Sequence, residues 1–244
     1  MFIPSRRPQV TQVTTESRSE WLAARQALLM KEKALTRMHD ELSAARRGLP
    51  WLRVAEPYVF DGPDGQATLS ELFAGRSQLV VYHFMFAPEW EAGCKSCSFW
   101  ADSFNGVVEH LAQRDVSFVV ISRAALPRLR AFQQRMGWGF KWLSSQGNSF
   151  NFDFHVSFGA DALARGDATY NYTPLTHPAS DMPGISVFAK DAEGEVFHTY
   201  GTYGRGIESI NACYQLLDLV PKGRGEDGLP MPMSWVRLRD EYDR

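Results

Sequence analysis

The segment from Leu79 to Asp102 constrains the fold more than any other part of the chain. It opens with Leu79-Val-Val-Tyr-His-Phe-Met-Phe86, an apolar, β-branched and aromatic run that reads as a buried central strand. A loop follows, then Gly93-Cys94-Lys95-Ser96-Cys97-Ser98. Beyond Cys97, the residues Phe99, Trp100, Phe104, Val107, Val108 and Leu111 fall at helical spacing. The cysteine pair is therefore expected where a strand hands over to a helix. Unpaired N–H groups and the macrodipole at a helix N-terminus favour an anion, so a thiol held there ionises readily, and Lys95 adds a positive charge beside it. The thiolate is the attacking species in disulfide exchange, and a second cysteine three residues on can resolve the mixed disulfide. Cys94 is the candidate attacking thiol and Cys97 the candidate resolving one. Two other uses stand beside this one: half of a zinc site, and a pair of buried, inert thiols. A four-ligand zinc site needs two further ligands. The sequence offers Cys213 and six scattered histidines, without a second CxxC.

The 244-residue length fits one large domain with an extension. A hydrophobic content of 44% with 16 phenylalanines supplies a core. The net charge of −2 gives neither nucleic acid nor an anionic membrane an evident foothold. Three cysteines make no disulfide framework in a chain this long. Met1-Phe-Ile-Pro-Ser-Arg-Arg-Pro8 lacks an apolar signal region, and no long apolar span occurs, so a soluble cytoplasmic protein is expected.

Residues 1–14 read as a loose arm. A helix should start near Ser17 or Ser19, where a hydroxyl can cap it, and end at Gly48. Trp21, Leu28, Leu35 and Leu42 recur every seven residues, with Met38 between the last two. Such a stripe packs either on its own domain or on a second copy, giving a homodimer. Residues 1–48 hold nine Lys/Arg against five Asp/Glu and the remainder holds 17 against 23, a contrast that favours either docking. Trp51–Phe60 reads as extended, Asp61–Gly65 as a turn, and Leu69–Phe73 as a short helix closed by Gly75. Val116–Ile121 is a second buried strand, which makes a right-handed parallel strand–helix–strand unit with the first. That unit brings Ser122 and Arg123 to the sheet edge where ligands of open α/β sheets bind, so Arg123 is a candidate for holding a thiolate or an anionic substrate. A solvated arginine at a loop start is the plainer alternative. Pro127 fits the first turn of a helix that runs to Met136 and stops at Gly137. Trp138, Phe140 and Trp142 alternate, as do Phe150, Phe152 and Phe154, and both sets predict extended segments with one aromatic face. Residues 159–184 form a long polar loop ending at Met182-Pro183. A hairpin of 185–190 with 195–200, a glycine-rich loop at 201–206 and a helix over Ile207–Leu219 complete the body. Cys213 lies in that helix as a buried free thiol, and a polar tail with Met and Trp anchors follows.

This succession of strand, CxxC helix, parallel strand, helix, X-Pro, hairpin and helix resembles the thioredoxin fold. Gly93-Cys94-Lys-Ser-Cys97-Ser-Phe-Trp100, Arg135-Met-Gly-Trp138, Phe150-Asn-Phe-Asp-Phe154 and Thr202-Tyr-Gly-Arg-Gly206 resemble, more narrowly, the DUF899 family of thioredoxin-like proteins. The resemblance implies an α/β, thioredoxin-like fold, a central mixed β-sheet flanked by helices, with a long N-terminal helical extension. The implied division is an arm and helix over 1–48, the thioredoxin-like domain over 49–222 and a tail over 223–244. It also implies that Met182-Pro183 is a cis bond facing Cys94 and Cys97, so Met182 and Pro183 join Arg123 as candidate substrate-binding residues. Thioredoxins proper carry Trp-Cys-Gly-Pro-Cys, whereas here Gly93 precedes the pair and Lys95-Ser96 fill it. Peroxiredoxins place a proline and a Thr or Ser before the peroxidatic cysteine. Here Pro88 falls six residues before Cys94 rather than seven, and Glu91 stands at the hydroxyl position.

The expected function is thiol–disulfide exchange. Its partners would be a disulfide or thiol substrate and a cellular reductant, and it calls for no cofactor. The alternatives are a carrier holding a metal through Cys94, Cys97 and a loop histidine such as His177, and a thiol peroxidase using Cys94.

Overall fold

The computed structural model describes residue 14, residues 17–176 and residues 179–243. The expected arm, apart from residue 14, and His177 lie outside the described residues. Helix α1 (Arg18–Arg47) starts where a cap was expected: the Glu20 amide donates to Ser17 Oγ at 3.4 Å, and the helix closes at Gly48. None of its residues is buried, and Trp21, Leu28, Leu35, Met38 and Leu42 stay between 48% and 64% exposed. The apolar stripe is thus not docked on its own domain. Near the C-terminal end of α1, the Arg46 guanidinium lies 5.2 Å from the Tyr200 ring.

Strand β1 (Leu52–Arg53) and the hairpin β2 (Val59–Gly62) with β3 (Gly65–Thr68) precede a short 3-10 turn at Glu71–Phe73. Strand β4 (Gln78–His83) is shorter than its apolar run, since Phe84 and Phe86 leave the sheet while staying buried. Helices α2 (Lys95–Ala101) and α3 (Val108–Ala112) replace one longer expected helix, and Gly106 in the break has φ +85. Strand β5 (Val116–Ser122) runs parallel to β4 in an unbroken register from Gln78↔Val116 to His83↔Ile121. Helix α4 (Leu126–Met136) has a proline in its first turn and a left-handed Gly137 at its end. Strand β6 (Lys141–Ser144) is parallel to β5.

The alternation of Phe150, Phe152 and Phe154 makes helix α5 (Phe150–Asp153) rather than a strand. Phe150 and Phe154 are four apart and both buried, a pair that one helical turn also aligns, and Phe152 is more exposed. Ser149 Oγ and Tyr58 Oη both donate to Asp153, at 2.6 and 2.7 Å, and hold the turn in place. The long loop carries helix α6 (Ala160–Arg165) and the small hairpin of β7 (Thr169–Tyr170) with β8 (Thr173–Pro174). Strands β9 (Gly184–Lys190) and β10 (Val196–Tyr203) pair antiparallel. The single helix expected over 207–219 is a 3-10 segment, Gly204–Ile210, and helix α7 (Ala212–Leu217). The break falls at Asn211, whose extended backbone lets its side chain accept from the Tyr214 amide as a cap.

The main sheet has the order β1-β10-β9-β4-β5-β6-β2-β3. Its central part, β10-β9-β4-β5, is the thioredoxin-like arrangement, with β4 flanked by a parallel β5 and an antiparallel β9. Side chains of β4 alternate between the faces. Val80 and Tyr82 meet one core with Cys97, Trp100, Phe118 and Trp142. Leu79 and Val81 meet the other, with Phe60, Phe150, Phe154 and Phe188. The C-terminal segment closes the first core: Val236 and Leu238 are buried, and Trp235 packs against the same cluster.

Candidate active site

Cys94 is the N-cap of α2 and Cys97 sits in its first turn, so the strand-to-helix handover stands where the sequence put it. The segment after β4 clamps the pair from one side. The Met85 carbonyl accepts from the Cys94 amide at 3.1 Å, and the Met85 amide donates to Cys97 Sγ at 3.5 Å. Gly93 is required at this approach. A Cβ there would fall 2.7 Å from one carbon of the Phe84 ring and 2.9 Å from one of Phe132.

The two sulfurs differ in environment. Cys94 is half-buried and Cys97 fully buried. The Cys94 thiol is lowered to about 7, chiefly by the hydrogen bond that the Cys97 thiol gives its thiolate. Burial works against that, and the amides of Cys97 and Ser96 with the Ser96 hydroxyl add to it. The Cys97 amide donates to Cys94 Sγ at 3.5 Å. Burial, followed by the neighbouring Cys94, pushes the Cys97 thiol well up. The positive side chain expected to help, Lys95, instead gives its ammonium to the Ser234 carbonyl at 3.3 Å. The first turn of α2 and the partner sulfur, rather than a lysine charge, favour the Cys94 anion.

A cavity of about 350 Å³ opens beside Cys97, and its lining includes Tyr82, Ser96, Trp100 and Pro183. Pro183 shares this cavity with Cys97, whereas Cys94, Met182 and Arg123 are not among the lining residues. The Met182-Pro183 bond is trans, because no cis peptide bond occurs among the described residues. The Pro183 carbonyl accepts from Tyr170 Oη at 2.6 Å, and the same hydroxyl accepts from the Gly204 amide at 2.7 Å. Met182 is tied to Val156 through its amide. Arg123 is neither solvated nor turned to the cysteines: its Nε pairs with the buried Asp181 at 2.8 Å and its guanidinium lies over Phe152. Among the described residues no group of three His, Cys, Asp or Glu side chains could hold a metal.

Sequence reasoning missed Tyr82. Its parity on β4 was the available signal, since Val80 and Tyr82 share the face that α2 covers. Trp100, whose Nε1 donates to the Ile207 carbonyl at 2.8 Å, was read only as a helix-face residue. The residues beyond β10 that complete the cavity carry no pattern that would have pointed to them.

Among solved structures the chain is similar to a bacterioferritin comigratory protein of Xanthomonas campestris, at 12% identity and a TM-score of 0.47 over 68% of this chain and 94% of that one. It is also similar to a cysteine-to-serine mutant of peroxiredoxin Q from Xanthomonas campestris, at 13% identity and a TM-score of 0.47 over 70% and 97%. A third is the peroxidoxin BcpB of Mycobacterium tuberculosis, at 15% and 0.42 over 68% and 93%. No curated protein matches. No helix among the described residues is long and apolar enough to cross a membrane. The model of a family described as a bacterial protein of unknown function, DUF899, matches residues 10–242, and the chain belongs to that family.

Proposed function

We propose that the protein is a thiol–disulfide oxidoreductase in which Cys94 attacks a disulfide and Cys97 resolves the intermediate. One observation carries this: two neighbouring thiols with opposite tendencies to ionise, Cys94 lowered to about 7 and Cys97 pushed well up. Near neutral pH such a pair holds one nucleophile and one protonated sulfur, the starting condition for two-step exchange. Exchange begins with bond formation between the Cys94 thiolate and one sulfur of the substrate disulfide. The other substrate sulfur leaves as a thiolate. Cys97 then displaces the bound half, closing a Cys94–Cys97 disulfide that a dithiol reductant reopens. The partial exposure of Cys94 beside the buried Cys97 supports this assignment of roles, and Pro183 forms part of the cavity wall next to Cys97.

The test is a Cys97→Ser protein incubated with an aryl disulfide. A stable mixed disulfide on Cys94, seen as an added mass, is expected, together with closure of the pair without added mass in the wild type. No added mass on Cys94, or equal labelling of Cys97 in a parallel Cys94→Ser protein, would overturn the proposal.

The exposed stripe of α1 supports a second element of the proposal, a homodimer contact through that helix. A heptad stripe is self-complementary, and its own domain leaves it uncovered.

A further inference from the structure

The cavity beside Cys97 has a composition that selects a ligand. Its body is apolar, formed by Met85, Trp100, Ile207, Pro232 and Met233. At the cysteine end stands Tyr82, fully buried, its Oη without a hydrogen bond of regular geometry. Burial raises the Cys97 thiol most, and the Tyr82 hydroxyl works in the opposite direction, toward its thiolate.

The charged residues at the outer wall are committed to one another. Arg205 pairs with Glu208 at 2.9 Å. Arg224 pairs with Glu208 at 2.9 Å and Asp218 at 2.7 Å, and lies over the Tyr214 ring at 3.9 Å. Glu226 accepts from Tyr214 Oη at 2.8 Å, the Met233 amide at 3.0 Å and Trp235 Nε1 at 2.6 Å. Of these, two cations and two carboxylates line the cavity, and both arginines are already paired, so an anionic ligand would have to break an existing ion pair to gain a cation there. At the cysteine end an ionised group would find the hydroxyls of Tyr82 and Ser96 but no opposite charge, and neutral donors do not offset its lost hydration.

We propose that this cavity is the substrate pocket of the cysteine pair and takes a small, uncharged disulfide with aryl or compact alkyl groups. The inference rests on the redox reading above and adds to it the class of substrate. An apolar group of the substrate fills the space between Trp100, Ile207 and Met233. The Cys94 thiolate bonds to one substrate sulfur while the substrate S–S bond breaks. The departing thiolate takes the proton of Cys97. The Cys97 thiolate, hydrogen-bonded by Tyr82 Oη, then bonds to the Cys94 sulfur and expels the second half as a thiolate. Two electrons pass from the cysteine pair to the substrate, and a dithiol such as dithiothreitol restores the pair. Tyr82 acts through Cys97 and is a positioning residue.

The experiment compares turnover of two aryl disulfides by the full-length wild type with dithiothreitol as reductant. One is uncharged 4,4′-dithiodipyridine and the other carries a carboxylate on each ring. The uncharged substrate is expected to have a kcat/KM at least about tenfold higher after correction for the uncatalysed rates, because the carboxylates must shed water without gaining partners. Diphenylmethane, an unreactive filler of similar shape, should compete with it. Ile207→Trp, which fills the pocket, should raise KM with less effect on kcat. Tyr82→Phe should slow release of the second thiol relative to the first. Equal or better turnover of the charged disulfide, no competition by diphenylmethane, or an unchanged KM in a folded Ile207→Trp protein would overturn the pocket assignment. If the Ile207 variant does not fold, the wild-type selectivity and the competition decide. Failure of the redox reading has a different signature: neither disulfide turns over and Cys94 forms no mixed disulfide.

Discussion

His83 and Tyr82 are adjacent on β4 and face opposite cores, and this parity separates chemistry from stability. Tyr82 looks toward Cys97. His83 is 1% exposed, shares Nε2 with Ser186 Oγ at 2.8 Å and packs near Phe150 and Phe154. Burial, and then the nearby His198, lower its pKa to about 3. An unfolded histidine titrates near ~6.5. Between these values the unfolded chain binds the proton that the folded chain refuses. Stability is therefore full above about pH 6.5 and declines as pH falls toward about 3. The slope approaches about 1.4 kcal/mol per pH unit once the unfolded histidine is largely protonated. Urea midpoints between pH 6.5 and 5 should fall more steeply for the wild type than for His83→Leu. Parallel slopes would contradict the assignment. Cys94 and Cys97 were legible in the sequence because spacing and a strand-to-helix boundary define them. Arg123 was not, because its partner Asp181 is 58 residues away and is met only in the fold.

At the scale of elements, the junction of β4 and α2 carries the site. Its geometry depends on Gly93 fitting between Phe84 and Phe132. Both rings are buried and packed against Trp138, so neither can yield freely. Gly93→Ala should cost roughly 1–3 kcal/mol of stability, the usual range for overpacking a core. It should also slow Cys94 alkylation, because the start of α2 moves with it. Chemical denaturation and alkylation kinetics check both effects, and unchanged values would refute the tight fit. The parallel strands, the Pro127 helix and the late hairpin could be read from apolar runs and turn residues, since those signals are local. Phe150–Phe154 could not, because residues spaced two and four apart satisfy a strand and one helical turn alike. The break at Asn211 was equally hidden, for it depends on a cap formed with Tyr214.

Across the whole molecule, the cysteine cavity is enclosed by parts far apart in sequence. The sheet supplies Tyr82, the loop before β9 supplies Pro183, and residues after β10 supply Ile207, Arg224 and Met233. The tail read as polar is bound into this assembly through Trp235, Val236 and Leu238. Helix α1 is the opposite case: its heptad stripe was evident, yet its own domain leaves the stripe uncovered. If a second copy covers it, sedimentation should give a dimer, and Leu28→Glu with Leu35→Glu should give a monomer with the cysteine chemistry intact. A wild-type monomer at tens of micromolar would refute that pairing. The chemistry turns on a single sulfur, and the pH dependence of iodoacetamide alkylation at Cys94 in the reduced full-length protein reads its ionisation. A midpoint near 7 is expected, moving upward in Cys97→Ala as the hydrogen bond from the partner thiol is lost. A midpoint at the free-cysteine value of about 8.5, unmoved by that substitution, would contradict it.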